Sequence, residues 1–106
     1  MITFEDFQKL EIKIGAVLSA EKVEGADKLI TLRVDLGNEE RQVVVGMAEF
    51  IKPEHFIGKQ LPLVTNLEPR KLRGIESHGM VLAIDVNNEP ILLLPEKEVP
   101  AGSIVR

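Results

Sequence analysis

The chain has 106 residues, 44% of them apolar, and a formal net charge of −4. That makes one small domain able to bury about 60 to 65% of its unfolded surface, without a cysteine for thiolate zinc sites, disulfides or thiol catalysis. The acidic balance excludes a binder that wraps many phosphates, and the lack of both a ~20-residue apolar run and a basic-then-apolar start predicts a cytoplasmic protein with no membrane contact.

The N-terminus predicts a short helix, because Thr3 can cap it with Asp6 at the third helical position while Ile2 and Phe7 staple across the cap. From Leu10 the period changes to two. Leu10, Ile12, Ile14, Ala16, Leu18 and Ala20 alternate with polar residues as a long half-buried strand, and Gly15 in its middle is the expected place for a bulge or sharp coil. Lys22 to Lys28 reads as a turn, and Ile30, Leu32, Val34 and Leu36 as a second strand. Gly37-Asn38 then makes a hairpin into a third strand over roughly Gln42 to Val45. Pro53 suits the first turn of a short helix through Phe56, which Gly58 ends. Leu61 to Thr65 is the fourth strand and Met80 to Val86 the fifth, after which Asn87-Asn88 turns the chain into Ile91 to Leu94.

Between the fourth and fifth strands lies Asn66 to Ala83, NLEPRKLRGIESHGMVLA. Arg70, Lys71 and Arg73 sit between Pro69 and Gly74 and are expected on a loop, where folds commonly mount recognition groups. With Glu68 and Glu76 as its only acids, the stretch from Asn66 to Ile84 is the one part of the chain with a positive balance.

Catalysis has little to stand on. His55 and His78 lack metal-ligand spacing, Ser77 lies between Glu76 and His78 without a nucleophile elbow, and no phosphate-cradling glycine loop occurs. No catalytic residue, metal or cofactor is expected. The only aromatics are Phe4, Phe7, Phe50 and Phe56, all expected in the core, so readout of single strands by base stacking is not expected either.

Five short strands with a small helix between the third and fourth fit an all-β, five-stranded barrel of the oligonucleotide/oligosaccharide-binding (OB) type, although a sandwich or an SH3-like barrel shares the turn spacing. Three blocks carry a closer likeness. Asn66-Leu67, then Arg70-Lys71-Leu72-Arg73-Gly74, then Glu76-Ser77 and Gly79-Met80 form the first; Ala26-Asp27-Lys28-Leu29 and Arg41-Gln42-Val43-Val44-Val45-Gly46 are the others. From about Phe7 to the C-terminus the chain resembles the tRNA-binding domain family, which includes the C-terminal domain of many methionyl-tRNA synthetases, free-standing tRNA-binding proteins and a cytokine-precursor domain. It departs where many members carry His-Pro before the second block, since Val23-Glu24 stand here.

The resemblance implies an OB barrel over residues 1–86, an extension over 87–106 that joins two copies, and a non-catalytic module that reads tRNA by shape. It also implies a partner: the catalytic part of a methionyl-tRNA synthetase, fused or separate, whose tRNA affinity the module raises. The alternative within the same fold is a dimeric peptide-binding, chaperone-like module. The expected RNA face is built from Lys28, Arg33, Arg41, Asn66, Arg70, Lys71, Arg73, Ser77 and Met80. In it the basic side chains meet phosphates, Asn66 and Ser77 bond to backbone or a base edge, and Met80 packs on a sugar or base. The expected homodimer interface uses Ile91, Leu92, Leu93, Leu94, Val99, Ile104 and Val105, because four successive apolar residues present both faces of a strand and one small barrel covers only one.

Overall fold

The computed structural model describes residues 1–106. Thr3 is extended, and its hydroxyl accepts from the Asp6 amide while the Asp6 carboxylate accepts from the Thr3 amide, which starts α1 (Phe4–Gln8) with a complete capping box. The helix buries nothing. Ile2 and Phe7 both remain exposed rather than closing a staple, and of the four phenylalanines only Phe56 reaches the core.

β1 (Ile12–Lys22) is the central strand of the barrel sheet. It pairs antiparallel with β2 (Ile30–Asp35) through its second half and with β4 (Gln60–Val64) through its first. β2 pairs in turn with β3 (Glu40–Val45). The alternation expected along β1 is not kept. A Cβ on Gly15 would lie 2.2 Å from Cγ1 of Val34, so Gly15 and Val17 face the interior, whereas Ile12 and Ile14 are buried outside the main core cluster. The bulge falls between Val17 and Ser19, not at Gly15. It leaves Leu18 47% exposed and swaps the parity, which returns Ala20 to the core side.

The Gly37-Asn38 hairpin, α2 (Pro53–Phe56) with proline in its first turn, and the helix stop at Gly58 all stand where the sequence puts them. The stretch after β4 differs. β5 (Arg70–Leu72) and β6 (Ile75–Ser77) form a hairpin, so the basic residues ride on paired strands rather than on a loop. The expected fifth strand is two pieces. β7 (Met80–Val81) pairs with β4, while β8 (Ala83–Val86) leaves the barrel to pair with β9 (Glu89–Leu92) across Asn87-Asn88, both at positive φ.

The sheet order β3-β2-β1-β4-β7 curls until its ends meet. His78 donates its amide to the Gln42 carbonyl at 2.9 Å, and the Ser77 hydroxyl accepts from the Val44 amide at 2.9 Å, which closes an OB barrel. Its interior holds Val17, Ile30, Leu32, Val34, Val43, Phe56, Leu61 and Leu63 with their neighbours. The C-terminal tail is stitched to the outside. Gln60 donates to the Val99 carbonyl and accepts from its amide, and Gly102, at φ +88, donates to the Ile14 carbonyl at 2.7 Å. A Cβ on Gly102 would lie 2.2 Å from the Leu36 carbonyl oxygen, so only glycine fits there. β10 (Ile104–Val105) then pairs with the start of β1 as a sixth strand.

Gly15→Ala is expected to destabilise the fold by about 1 to 3 kcal/mol through overpacking. Val34→Ala in the same chain should relieve part of that loss instead of adding its own. Urea unfolding of the two single variants and the double variant checks this, and simple additivity would place Gly15 away from Val34.

Candidate nucleic-acid interface

Arg73 at φ 54 and Gly74 at φ 81 are two successive left-handed residues, the requirement of a two-residue type I′ turn between β5 and β6. Holding a side chain as large as arginine in that region costs about 1 to 3 kcal/mol, so this turn keeps a charge where glycine or asparagine would be easier. Register places Lys71 opposite Glu76 on one face of the hairpin, with Arg70 opposite Ser77 and Leu72 opposite Ile75 on the other. The base of the hairpin is rigid. Ser77 is only 5% exposed, its hydroxyl donates to the Gly79 carbonyl at 2.9 Å while accepting from Val44, and Gln42 donates its side-chain amide to the Glu76 carbonyl at 2.9 Å.

Three depressions surround this hairpin, and they differ in charge. At the tip, Lys71 and Arg73 meet Lys28 and the loop Gly25–Leu29, which brings three bases together against one acid, Asp27. That loop is held by the Val23 amide on the Leu29 carbonyl and by the Ala48 amide on the Lys28 carbonyl. Glu24 does not line the depression. None of Lys28, Arg70, Lys71 and Arg73 enters an ion pair, so all four remain available to a ligand. On the second side Arg70 lies with Glu68, Leu67 and Met80, the last 42% exposed on β7.

The third depression contains Arg33 and Arg41 but also Glu39, Glu40 and Glu76. Arg33 Nε is 3.1 Å from Glu40 and Arg41 Nε is 2.6 Å from Glu39. The hydrogen bond from Arg41 holds the Glu39 carboxyl below the usual glutamate range. Arg41 also donates to the carbonyls of Thr65, at 2.5 Å, and His78, at 3.4 Å, while His78 Nε2 stands 3.8 Å from Glu76.

The expected face is therefore divided. Lys28, Lys71 and Arg73 converge, and Arg70 with Met80 flanks them. Arg33 and Arg41 are neutralised by the glutamates beside them. Ser77 is withdrawn from solvent, and its donor and acceptor bonds close the barrel. Asn66 has a similar task. Its oxygen accepts from the Glu11 amide at 2.8 Å and its amide donates to the Lys9 carbonyl at 2.7 Å, which clamps the segment between α1 and β1. Next to it the Thr65 hydroxyl lies 2.7 Å from the Glu11 carboxylate; that bond, and then the charge of Lys13, keeps the Glu11 carboxyl below its ordinary range. Glu39 and Glu40 were not singled out by sequence, although the Gly37-Asn38 hairpin already brings them back towards Arg33. Phe4 and Phe50 are exposed but line none of the three depressions, and no group of three or more His, Asp or Glu side chains is arranged to hold a metal ion.

Residues 12–104 match the family described as "Putative tRNA binding domain". The chain belongs to the tRNA-binding domain family. It is 50% identical over 106 residues to a methionine–tRNA ligase of Methanothrix thermoacetophila, an alignment that takes in all of this chain and 16% of that enzyme. The chain thus spans 16% of the length of that curated relative. Among solved structures it is similar to a MetRS-related protein from Pyrococcus horikoshii, with a TM-score of 0.96 and 40% identity over 100% of this chain and 98% of that one. It is also similar to the chaperone CsaA of Bacillus anthracis, with a TM-score of 0.91 and 32% identity over 100% and 99% of the two chains. As a tRNA-binding domain the chain is homologous to one portion of a synthetase, and its hairpin carries the Arg70-Lys71-Leu72-Arg73-Gly74 block.

Proposed function

We propose that the chain is a non-catalytic module that holds tRNA against the tip of the β5–β6 hairpin and raises the tRNA affinity of a methionyl-tRNA synthetase, attached to it or separate, in the cytoplasm. The observation that carries this reading is the convergence of Lys28, Lys71 and Arg73 at one rigid corner, each without an ion-pair partner. A compact patch of this kind suits a folded RNA, recognised through backbone and 2′-hydroxyl positions, better than an extended strand that needs stacking platforms. The 50% identity to a methionine–tRNA ligase supports the choice of synthetase. No helix of the protein is long and apolar enough to cross a membrane.

A homodimer belongs to this reading. β8 and β9 present Ile84 opposite Ile91, and both are exposed together with Val86, Leu93 and Leu94. Leu92 packs against the core and Val99 is half-buried beside Gln60, so these two stabilise the monomer, and the outer face remains for a partner copy. Ile104 and Val105 are exposed on β10, even though that strand pairs with its own barrel. Two modest basic patches on one particle would engage one tRNA together and gain affinity by effective concentration. The likeness to a chaperone at 32% identity supports a second reading, a peptide-binding module of the same fold, which RNA-independent peptide binding would favour.

In a gel-shift competition the protein should prefer tRNA to unstructured and duplex RNA, and log affinity should fall against log salt with a slope of about −2 to −5, for three to five phosphate contacts. Lys71→Ala and Arg73→Gly should weaken tRNA binding without lowering the melting temperature, since glycine suits the φ that Arg73 adopts. Equal affinity for unstructured RNA would sink shape recognition. In sedimentation equilibrium at micromolar concentration we expect a dimer that Ile91→Asp with Leu94→Asp converts to monomers. A monomeric unaltered chain would remove the dimer.

A further inference from the structure

The face around the hairpin holds more positive charge than it displays. Arg33 and Arg41 lie in the depression adjoining the basic tip, yet each has its Nε committed to a carboxylate of the β2–β3 hairpin, 3.1 Å from Glu40 and 2.6 Å from Glu39. Both pairs are local. Glu40 stands opposite Asp35 in the ladder, one step diagonal to Arg33, and Glu39 is two residues before Arg41. Such pairs form before any RNA arrives, and with Glu76 they give this depression an excess of negative charge, whereas the tip beside it is positive.

From this contrast we infer that Glu39 and Glu40 are specificity-determining residues of the RNA face, acting by withholding Arg41 and Arg33 from phosphate. The inference rests on the tRNA reading and deepens it. A flexible single strand can drape from the tip into the adjoining depression and collect every phosphate contact on offer, because its backbone adapts to the spacing of the bases. A folded RNA presents phosphates at fixed positions and meets only the corner that fits it. Two free arginines next to the tip would therefore help unstructured RNA more than tRNA, while a carboxylate beside each one removes that advantage and repels phosphate as well. Neither residue touches the RNA in this account, since each acts through the arginine that it holds.

The effect differs between the two pairs. Arg33 is bound only by Glu40, so Glu40→Gln releases the whole side chain; Arg41 is also bound to the carbonyls of Thr65 and His78, so Glu39→Gln frees only its Nε edge. Affinities for a tRNA transcript and for poly-U RNA, measured by fluorescence anisotropy over a salt series, test the inference. For Glu40→Gln the poly-U slope should steepen by about 0.7, the value of one released phosphate contact on a single strand, and the tRNA-to-poly-U affinity ratio should fall several-fold. Glu39→Gln should show a smaller change. Adding Arg33→Gln to Glu40→Gln should restore the slope and ratio of the unaltered protein. Glu96→Gln with Glu98→Gln alters net charge on the C-terminal tail, away from the depression, and should leave both quantities unchanged. The inference is overturned if Glu40→Gln behaves like that tail control, or if its gain survives Arg33→Gln. An unaltered protein that prefers tRNA while Glu40→Gln changes nothing defeats this inference alone. One that binds neither RNA defeats the tRNA reading, and this inference with it.

Discussion

A barrel of five short strands must join its first and last edges somewhere, and here the Ser77 hydroxyl makes much of that joint. It accepts from the Val44 amide, which is buried and would otherwise be unpaired at a cost of about 1 to 3 kcal/mol, and it donates to the Gly79 carbonyl. The same serine ends β6. Fixing it fixes the base of the β5–β6 hairpin, and the two-residue turn then leaves little freedom in where Lys71 and Arg73 stand. Scaffold and basic hairpin tip therefore share one hydrogen-bonded joint, so the position of the charges is set by barrel closure and not by a flexible loop.

The charge pattern accounts for an acidic protein on an RNA-binding path. What matters is which bases are left unpaired, and the structure divides them clearly. Lys28, Lys71 and Arg73 share a depression with only Asp27 against them, while Arg33 and Arg41 are each held by a neighbouring glutamate. A small free patch limits the number of phosphate contacts, and with it the sequence-independent affinity that a basic surface gives for any nucleic acid. Shape at one corner then has room to discriminate.

Much of the fold was legible because its signals are local. The Thr3 capping box, the Gly37-Asn38 and Asn87-Asn88 turns, Pro53 at a helix start and the apolar alternation of β2 each depend on a few adjacent residues. The errors came from distance in sequence. The parity of β1 reverses at a bulge that depends on pairing with β2, and Gly15 faces inward because Val34 stands against it, neither of which appears in the strand's own pattern. Arg70 to Arg73 looked like a loop since Pro69 and Gly74 bracket it, although Gly74 completes a hairpin turn. Among the candidate site residues, the polar ones have partners that the sequence does not reveal. Asn66 and Ser77 belong to the matched block, but their partners are Lys9, Glu11, Val44 and Gly79, so they are explained by the fold they hold together.

The central claim is that tRNA meets this protein at the corner formed by the hairpin tip and the Gly25–Leu29 loop. Titration of the isotope-labelled protein with tRNA, followed by backbone amide resonances, tests it most directly. The account predicts that the first and largest changes fall on Ala26 to Leu29 and on Lys71 to Gly74, with little change at Ile84, Ile91 or the segment from Phe4 to Leu10. Changes confined to the β8–β9 hairpin or to the N-terminal helix, with the tip undisturbed, would contradict it.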